Sequence, residues 1–397
     1  MFFVLVLFLA AFAYYFFSTM KGLDYYEPEI IATHSEGEEF VGSRTCKECH
    51  ADIHASHLET AHYNTSAIAN ANNILGSFKS NSNTVETKDL EMTMKKKGKS
   101  FYQLTKFKAT NQQLPPEKFD IVIGSGVKGQ SYLTWKEDKL FQLQTSYYPP
   151  ADIWINSPGY PAQRLERPVR DGCLKCHVTF AKNKDFSGQG NQYEKAQFLY
   201  GVDCEKCHRP SAKHVIFHRN NPDVKTSRFM LQLDTIARQK RLDACAQCHS
   251  GSRSNLVQGN SFSFLSGENL REYSRNFYTG QPKTELDVHG NQYGLLTTSK
   301  CFIQSPQMDC STCHDPHKKQ RGDTSYFNQK CMGCHTDNST NCTADAAEVS
   351  TMGNNCISCH MPNSPSKGMT VELNSLKTSV YVRTHLIGIY PKEQWLE

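Results

Sequence analysis

The pentapeptide C-x-x-C-H occurs seven times in this 397-residue chain. It reads CKECH at Cys46–His50, CLKCH at Cys173–His177, CEKCH at Cys204–His208 and CAQCH at Cys245–His249. It returns as CSTCH at Cys310–His314, CMGCH at Cys331–His335 and CISCH at Cys356–His360. With 16 cysteines and 16 histidines, chance supplies roughly 0.03 such pentapeptides. Residues i and i+3 share a helix face, and i+4 stands beside them. The chain must therefore fold so that seven short turns each offer two thiols and an imidazole to one common partner.

That partner is c-type haem, for which C-x-x-C-H is the attachment signature. The thioether candidates are Cys46, Cys49, Cys173, Cys176, Cys204, Cys207, Cys245, Cys248, Cys310, Cys313, Cys331, Cys334, Cys356 and Cys359. Each closing histidine, namely His50, His177, His208, His249, His314, His335 and His360, is a proximal iron ligand. Zinc is the competing reading, because C-x-x-C pairs also build zinc ribbons. Zinc needs two pairs per ion, however, and seven is odd. It also gives no reason for a histidine after every second cysteine. The expected cofactor set is seven covalent haem c groups.

The hydrophobic fraction of 38% lies below the roughly 45–50% of soluble domains. Seven porphyrins would supply the missing apolar interior. The expected fold is a mostly α/irregular multihaem cytochrome with short helices, little sheet and a haem-filled core, plus a small inserted β-rich module. The formal charge of +5 does not indicate a nucleic-acid partner. Two propionates against one residual positive charge per ferric haem shift the total by roughly −7.

Two cysteines remain, Cys301 and Cys342. Haem attachment takes place outside the bacterial cytoplasm, where disulfides persist. A Cys301–Cys342 bridge is the favoured reading, and two separate buried thiols the alternative. The amino terminus is apolar from Phe2 to Phe17. It resembles the apolar region of a signal peptide, with Ala11-Phe12-Ala13 as a cleavage site, but no Lys or Arg precedes it. Extended through Met20 it approaches the ~20 residues that span a bilayer. Residues 1–20 are therefore read as a membrane anchor, or else a signal peptide, and the body as exported.

Motif spacing divides the rest. A first haem segment covers 40–83, a β-rich module with its exit loop 84–160, and a hexahaem domain 161–397. No motif falls in the 122 residues between His50 and Cys173. There "LEMTMKKKGKSFYQLTKF" reads as two strands about a basic turn, so the Lys95–Lys99 run is a solvated hairpin tip. "FDIVIGSGVKGQSYLTWKEDKLFQLQTSYY" reads as three more strands, with turns at Gly124–Gly129 and Lys136–Lys139. Gly124–Gly129 also satisfies G-x-G-x-x-G. A dinucleotide site needs a helix to start there, whereas the strand-like "QSYLTW" follows. The segment 50–72 is expected to be helical.

Nine histidines are left for the distal side of seven irons: His34, His54, His57, His62, His214, His218, His289, His317 and His385. Two imidazoles make an iron six-coordinate, which suits electron transfer, and a missing sixth ligand opens it to substrate. His214 and His218 in "CHRPSAKHVIFH" and His317 in "CHDPH" lie just beyond proximal histidines, where neighbouring haems must crowd. Met361 is a poor candidate, because it lies beside its own haem's proximal histidine.

Several stretches carry a wider likeness. "FVGSRTCKECHADIHASHLETAH", "IVIGSGVKGQSYL", "CEKCHRPSAKHVIFH", "SKCFIQSPQMDCSTCHDPH" and "CISCHMP…THLIGIY" together resemble a family of exported bacterial multihaem cytochromes. That family is distantly similar to the tetrahaem electron acceptor of hydroxylamine oxidoreductase. The resemblance spans most of the chain from Phe40 onward. It implies distal roles for His62, twelve residues after the first proximal histidine, and for His214, His317 and His385. With the family in view His289 joins them. His54 and His57 stand where relatives carry Tyr- and Trp-like residues; His57 is kept as a further distal candidate. The family implies electron transfer with redox partner proteins.

The leading functional expectation is an electron relay between a membrane donor and a periplasmic or surface acceptor. It requires close haems and fixed ligands but no catalytic side chain. A reductase or dehydrogenase of a small nitrogen or sulfur oxyanion is the first alternative. Such enzymes often mark the catalytic haem by lysine in the histidine's place, and all seven motifs here end in histidine. A homo-oligomeric, haem-lined filament, with His34 donated to a neighbour's haem, is the second.

Overall fold

The computed structural model describes residues 27–251, 254–276, 286–335, 355–373 and 376–394, together with positions 12, 14 and 15. Two antiparallel sheets dominate the region between the first two motifs. One runs Thr84–Glu86, Leu90–Lys97, Ser100–Phe107, Glu117–Lys118. The other runs Ile153–Asn156, Lys139–Tyr148, Gln130–Lys136, Ile121–Ile123, Ser66–Ile68, with Arg167–Pro168 also pairing to Lys139–Tyr148. Period-2 alternation builds them. Leu90, Met92 and Met94 point inward and are fully buried, while the lysines that end the strand are exposed.

The inward faces meet in a core that includes Phe101, Phe119, Tyr132, Leu143 and Trp154. The Trp154 ring centroid lies 5.3 Å from Tyr132, 5.4 Å from Tyr147 and 5.9 Å from Phe119. Its indole nitrogen donates to the Ser77 carbonyl at 2.7 Å, so the buried polar end is satisfied. The glycine-rich stretch is a turn between two strands, without a helix. Gly124 and Gly126 adopt φ of +98° and +81°, and a Cβ at Gly124 would meet the Gly129 carbonyl oxygen at 2.6 Å.

Three sequence expectations are corrected. Ser66–Ile68 is a strand paired with Ile121–Ile123, so the helix expected over 50–72 is confined to Ala51–His57. A sheet edge captures the backbone that local propensity left to a helix. The β module likewise reaches outside 84–160, through Ser66–Ile68 and Arg167–Pro168.

The third correction concerns fold class. The molecule is not mostly helical, because strand residues outnumber helical ones among the described residues. Hairpins run through the motif-bearing part at Val178–Asn183 with Tyr193–Tyr200, Ser254–Leu256 with Ser274–Asn276, and Asn363–Leu373 with Leu376–Arg383. Two of them start within three residues of a motif histidine, His177 and His360. A hairpin satisfies its own backbone over a short span, so it can line a motif turn without a long helix. The longest described helix, Arg238–His249, has 12 residues.

Among the described residues no helix is long and apolar enough to cross a membrane. The anchor expected over 1–20 lies almost wholly outside the described residues, and Cys342 lies outside them. Cys301 Sγ stands 4.0 Å from the Met308 sulfur.

Candidate haem-binding array

Each motif sits on a single helical turn. The amide of the closing histidine donates to the first cysteine's carbonyl at 2.9 Å in the first, fifth and sixth motifs. That i→i−4 bond places the two thiols along one face with the imidazole beside the second. Asp203 starts the third motif's helix by accepting from the Cys204 amide at 2.8 Å. Asp309 caps the fifth turn, accepting from the Ser311 and Thr312 amides. Both are aspartates directly before a cysteine, an N-cap signal visible in the sequence.

Acidic side chains also bind one motif to another. Glu205, inside CEKCH and 3% exposed, accepts from the amides of Val41 (3.1 Å), Gly42 (2.8 Å) and Ser211 (2.8 Å). Gly42 is the N-cap of Ser43–Lys47, the first motif's helix, so this carboxyl fixes the third motif against the first. Burial pushes it up to about 7, although the three amides pull the other way. Asp309 meets Arg241 at 2.5 Å, joining the fifth motif to the helix of the fourth. Burial opposes ionisation of Asp309, but Ser311 and Arg241 outweigh it and hold the carboxyl below its usual range.

The motifs adjoin in a definite order. Side chains of Cys46 and Cys204, of Cys176 and Cys248, and of Cys245 and Cys310 lie within hydrogen-bonding reach. Cys207 neighbours Cys245, Cys313 neighbours Cys331 and Cys334, and Cys331 neighbours Cys356. The path runs first, third, fourth, fifth, sixth, seventh, with the second motif joined at the fourth. Lys206 is half-buried at that junction beside Cys176, Cys207 and Cys248, and desolvation lowers its pKa.

The imidazoles test whether haem fits. A metal–imidazole nitrogen bond is about 2 Å and the ring centroid lies about 1 Å behind it, so two rings sharing one iron stand about 6 Å apart. His50 and His214 have centroids 6.5 Å apart at 21°, and His208 and His317 6.0 Å at 13°. His314 and His385 stand 6.0 Å apart at 23°, and His249 and His62 6.1 Å at 68°. Desolvation, and then the charge of nearby His289, disfavour protonation of the half-buried His177. Each of these pairs joins a motif histidine to one outside the motifs.

Orientation and protonation suit ligation too. His214 Nδ1 faces the Arg228 carbonyl at 2.7 Å, and His208 Nδ1 faces Leu231 at 3.0 Å. His360 Nδ1 faces Gly388 at 2.7 Å. A carbonyl at Nδ1 fixes the tautomer that leaves Nε2 as the lone-pair donor. Burial, with neighbouring histidines adding to it, pushes His62 and His385 down to about 4. Both rings are neutral, as a metal ligand must be.

The other candidates are placed differently. His218 lies 4.6 Å from His214, and its Nε2 accepts from the Arg228 amide at 3.2 Å. His57 Nε2 faces the Val202 carbonyl at 3.2 Å, with the ring edge-on to His317. His34 is 3% exposed with Nε2 at the Phe262 carbonyl, 2.9 Å away, so it is not presented to a neighbouring molecule. His54 lies on Ala51–His57 beside the first motif. Among the described residues, no histidine ring stands at the iron-bridging distance from His177, His335 or His360, although His289 acts electrostatically on His177.

The family model described as "Cytochrome c554 and c-prime" matches residues 131–209, which include the second and third motifs. The multiheme cytochrome MtrA of Shewanella baltica (strain OS185) is 24% identical over 182 residues, covering 42% of this chain and 53% of that protein. The chain thus spans about half the length of that relative. Among solved structures, the outer cell wall cytochrome OcwA matches with a TM-score of 0.55 at 18% identity, over 88% of this chain and 79% of that one. An undecaheme cytochrome from the S-layer of Carboxydothermus ferrireducens matches with a TM-score of 0.40 at 17% identity, over 88% and 52%.

Proposed function

We propose that this chain, which is a multihaem c-type cytochrome, carries seven covalent haems and works as an electron relay. The observation that supports this most is the set of facing histidines. Four pairs stand 6.0–6.5 Å apart, and His289 is the histidine whose charge is felt at His177. His50/His214, His208/His317, His249/His62 and His314/His385 would each hold one iron between them, and His289 is the candidate partner for His177. Haem c supplies a one-electron iron couple. The residues hold that couple still: two imidazoles per iron, their tautomers set by backbone carbonyls, leave no ligand to exchange as the charge changes. Apposed cysteines of successive motifs bring neighbouring porphyrins together, so the path needs neither general acid nor nucleophile.

The chain acts outside the cytoplasm, in the periplasm or at the cell surface, between redox partner proteins. Covalent haem chemistry supports this, and so does the likeness to OcwA, a cytochrome of the outer cell wall. An oxyanion reductase would need an iron with an open sixth position, and four facing pairs oppose that at four of the motifs. Stoichiometric reductive titration followed at the haem bands tests the relay. Seven electron equivalents per chain, all delivered through one soluble donor, are expected. Haems that stay oxidised until a second donor is added would break the relay assignment.

A further inference from the structure

The histidines are distributed unevenly along the motif path. The chain has 16, and every one lies among the described residues. Seven close the motifs, four face motif rings at 6.0–6.5 Å, and His289 is assigned to the second motif through its electrostatic effect on His177, leaving four. Three of those four are committed elsewhere. His34 Nε2 sits at the Phe262 carbonyl, His57 Nε2 at that of Val202, and His218 Nε2 accepts from the Arg228 amide. His54 shares a short helix with His57 just after the first motif. The spare imidazoles thus cluster at the first and third motifs, while the sixth and seventh lie at the opposite end of the path.

At that end the proximal side is formed. The His335 amide closes its turn on Cys331 at 2.9 Å. His360 Nδ1 faces Gly388 at 2.7 Å, so its Nε2 is the free donor. Arg383 braces the same turn by donating to the Ile357 and Met361 carbonyls at 2.9 and 2.8 Å. A proximal ligand held in this way, with no imidazole opposite it among the described residues, is what a five-coordinate haem iron would require of the chain.

We propose that at least one of the haems at Cys331–His335 and Cys356–His360 has an open sixth position, and that this is a binding site for a small exogenous ligand. The ligand class follows from iron chemistry: a diatomic such as carbon monoxide on ferrous iron, or a small nitrogen- or oxygen-donor anion on ferric iron. The inference rests on the haem reading above and deepens it, because it gives the relay a terminus at which electrons can meet a small molecule.

The test uses the full-length, fully matured protein. Electron paramagnetic resonance of the oxidised form should show one or two high-spin irons per chain, and the reduced form should bind carbon monoxide in the same number. His214→Ala serves as the calibration, since removing a facing ring at the first motif should add one further carbon monoxide per chain. The same readings at low and high protein concentration should agree, because a histidine from a second copy would extinguish the high-spin signal on concentration. Seven low-spin irons with no carbon monoxide uptake in the wild type, at any concentration, would overturn the inference and leave the relay intact. Loss of the high-spin signal on concentration would overturn it as well. Peptide mass mapping that finds no haem on Cys331–Cys334 and Cys356–Cys359 would overturn it together with the seven-haem count.

Discussion

The β module and the later motif region bury very different interiors. Between its sheets the module packs a connected set of aromatic and aliphatic side chains, with Trp154 touching four other rings. Its buried polar residues are uncharged, and several pair within the module: Gln103 Oε1 accepts from both the Thr145 amide (3.1 Å) and hydroxyl (2.8 Å). Around the fourth to seventh motifs, the clusters hold three or four buried hydrophobic residues apiece, and the largest is shared with the module through Tyr148 and Ile155. Carboxylates at Glu205 and Asp309 bind the motif turns together. One region stabilises itself by protein packing, and the other leaves its interior to porphyrin.

The largest effect expected from this contrast comes from withholding haem. Chain produced without haem attachment should lose protease protection across the motif-bearing regions while a fragment near residues 66–168 survives. Uniform digestion of both regions would dissolve the distinction. Next is Trp154→Ala, which should cost the module about 3–5 kcal/mol. Calorimetry should show it as a lowered transition, with the haem absorption bands unmoved; a changed haem spectrum would show that the two interiors are one.

A pH effect should belong to the motif region alone. Glu205 has its folded pKa raised from 4.5 to about 7, so the folded state binds the extra proton. That contribution is fully present below about 4.5 and is lost as pH rises through 7, at most about 3 kcal/mol in all. Glu205→Gln should flatten the slope between those limits, measured by denaturant unfolding followed at the haem bands. An unchanged slope would place the titration elsewhere. Smallest is Arg241→Ala. It leaves the mostly buried Asp309 carboxylate without its partner and should cost about 1–2 kcal/mol, after allowance for the part-exposed guanidinium. The melting transition of the motif region should fall, and that of the module should stay.

The sequence makes the local features legible and leaves the distant pairings hidden. The motif turns, the hairpin about Gly98 and the turn at Gly124–Gly129 each depend on neighbouring residues, so spacing is enough. Ser66–Ile68 is a strand because Ile121–Ile123 needs an edge partner, and nothing within 50–72 announces that. The hairpins after His177 and His360 escape notice because a low hydrophobic fraction reads as loop and short helix. Likewise, His62 meets His249 across 187 positions of chain, a match no spacing rule contains. Counting nine spare histidines against seven irons suggests that every iron can be closed. Position matters as well as number, since four of the nine face a motif ring among the described residues.

The central claim is that each C-x-x-C-H turn holds a haem. Denaturing mass spectrometry of the fully matured chain, followed by peptide mapping, measures it most directly. The account predicts seven covalent haems, one on each of the seven cysteine-pair peptides. A chain carrying fewer, in a host that attaches haem fully to another multihaem cytochrome, would contradict it.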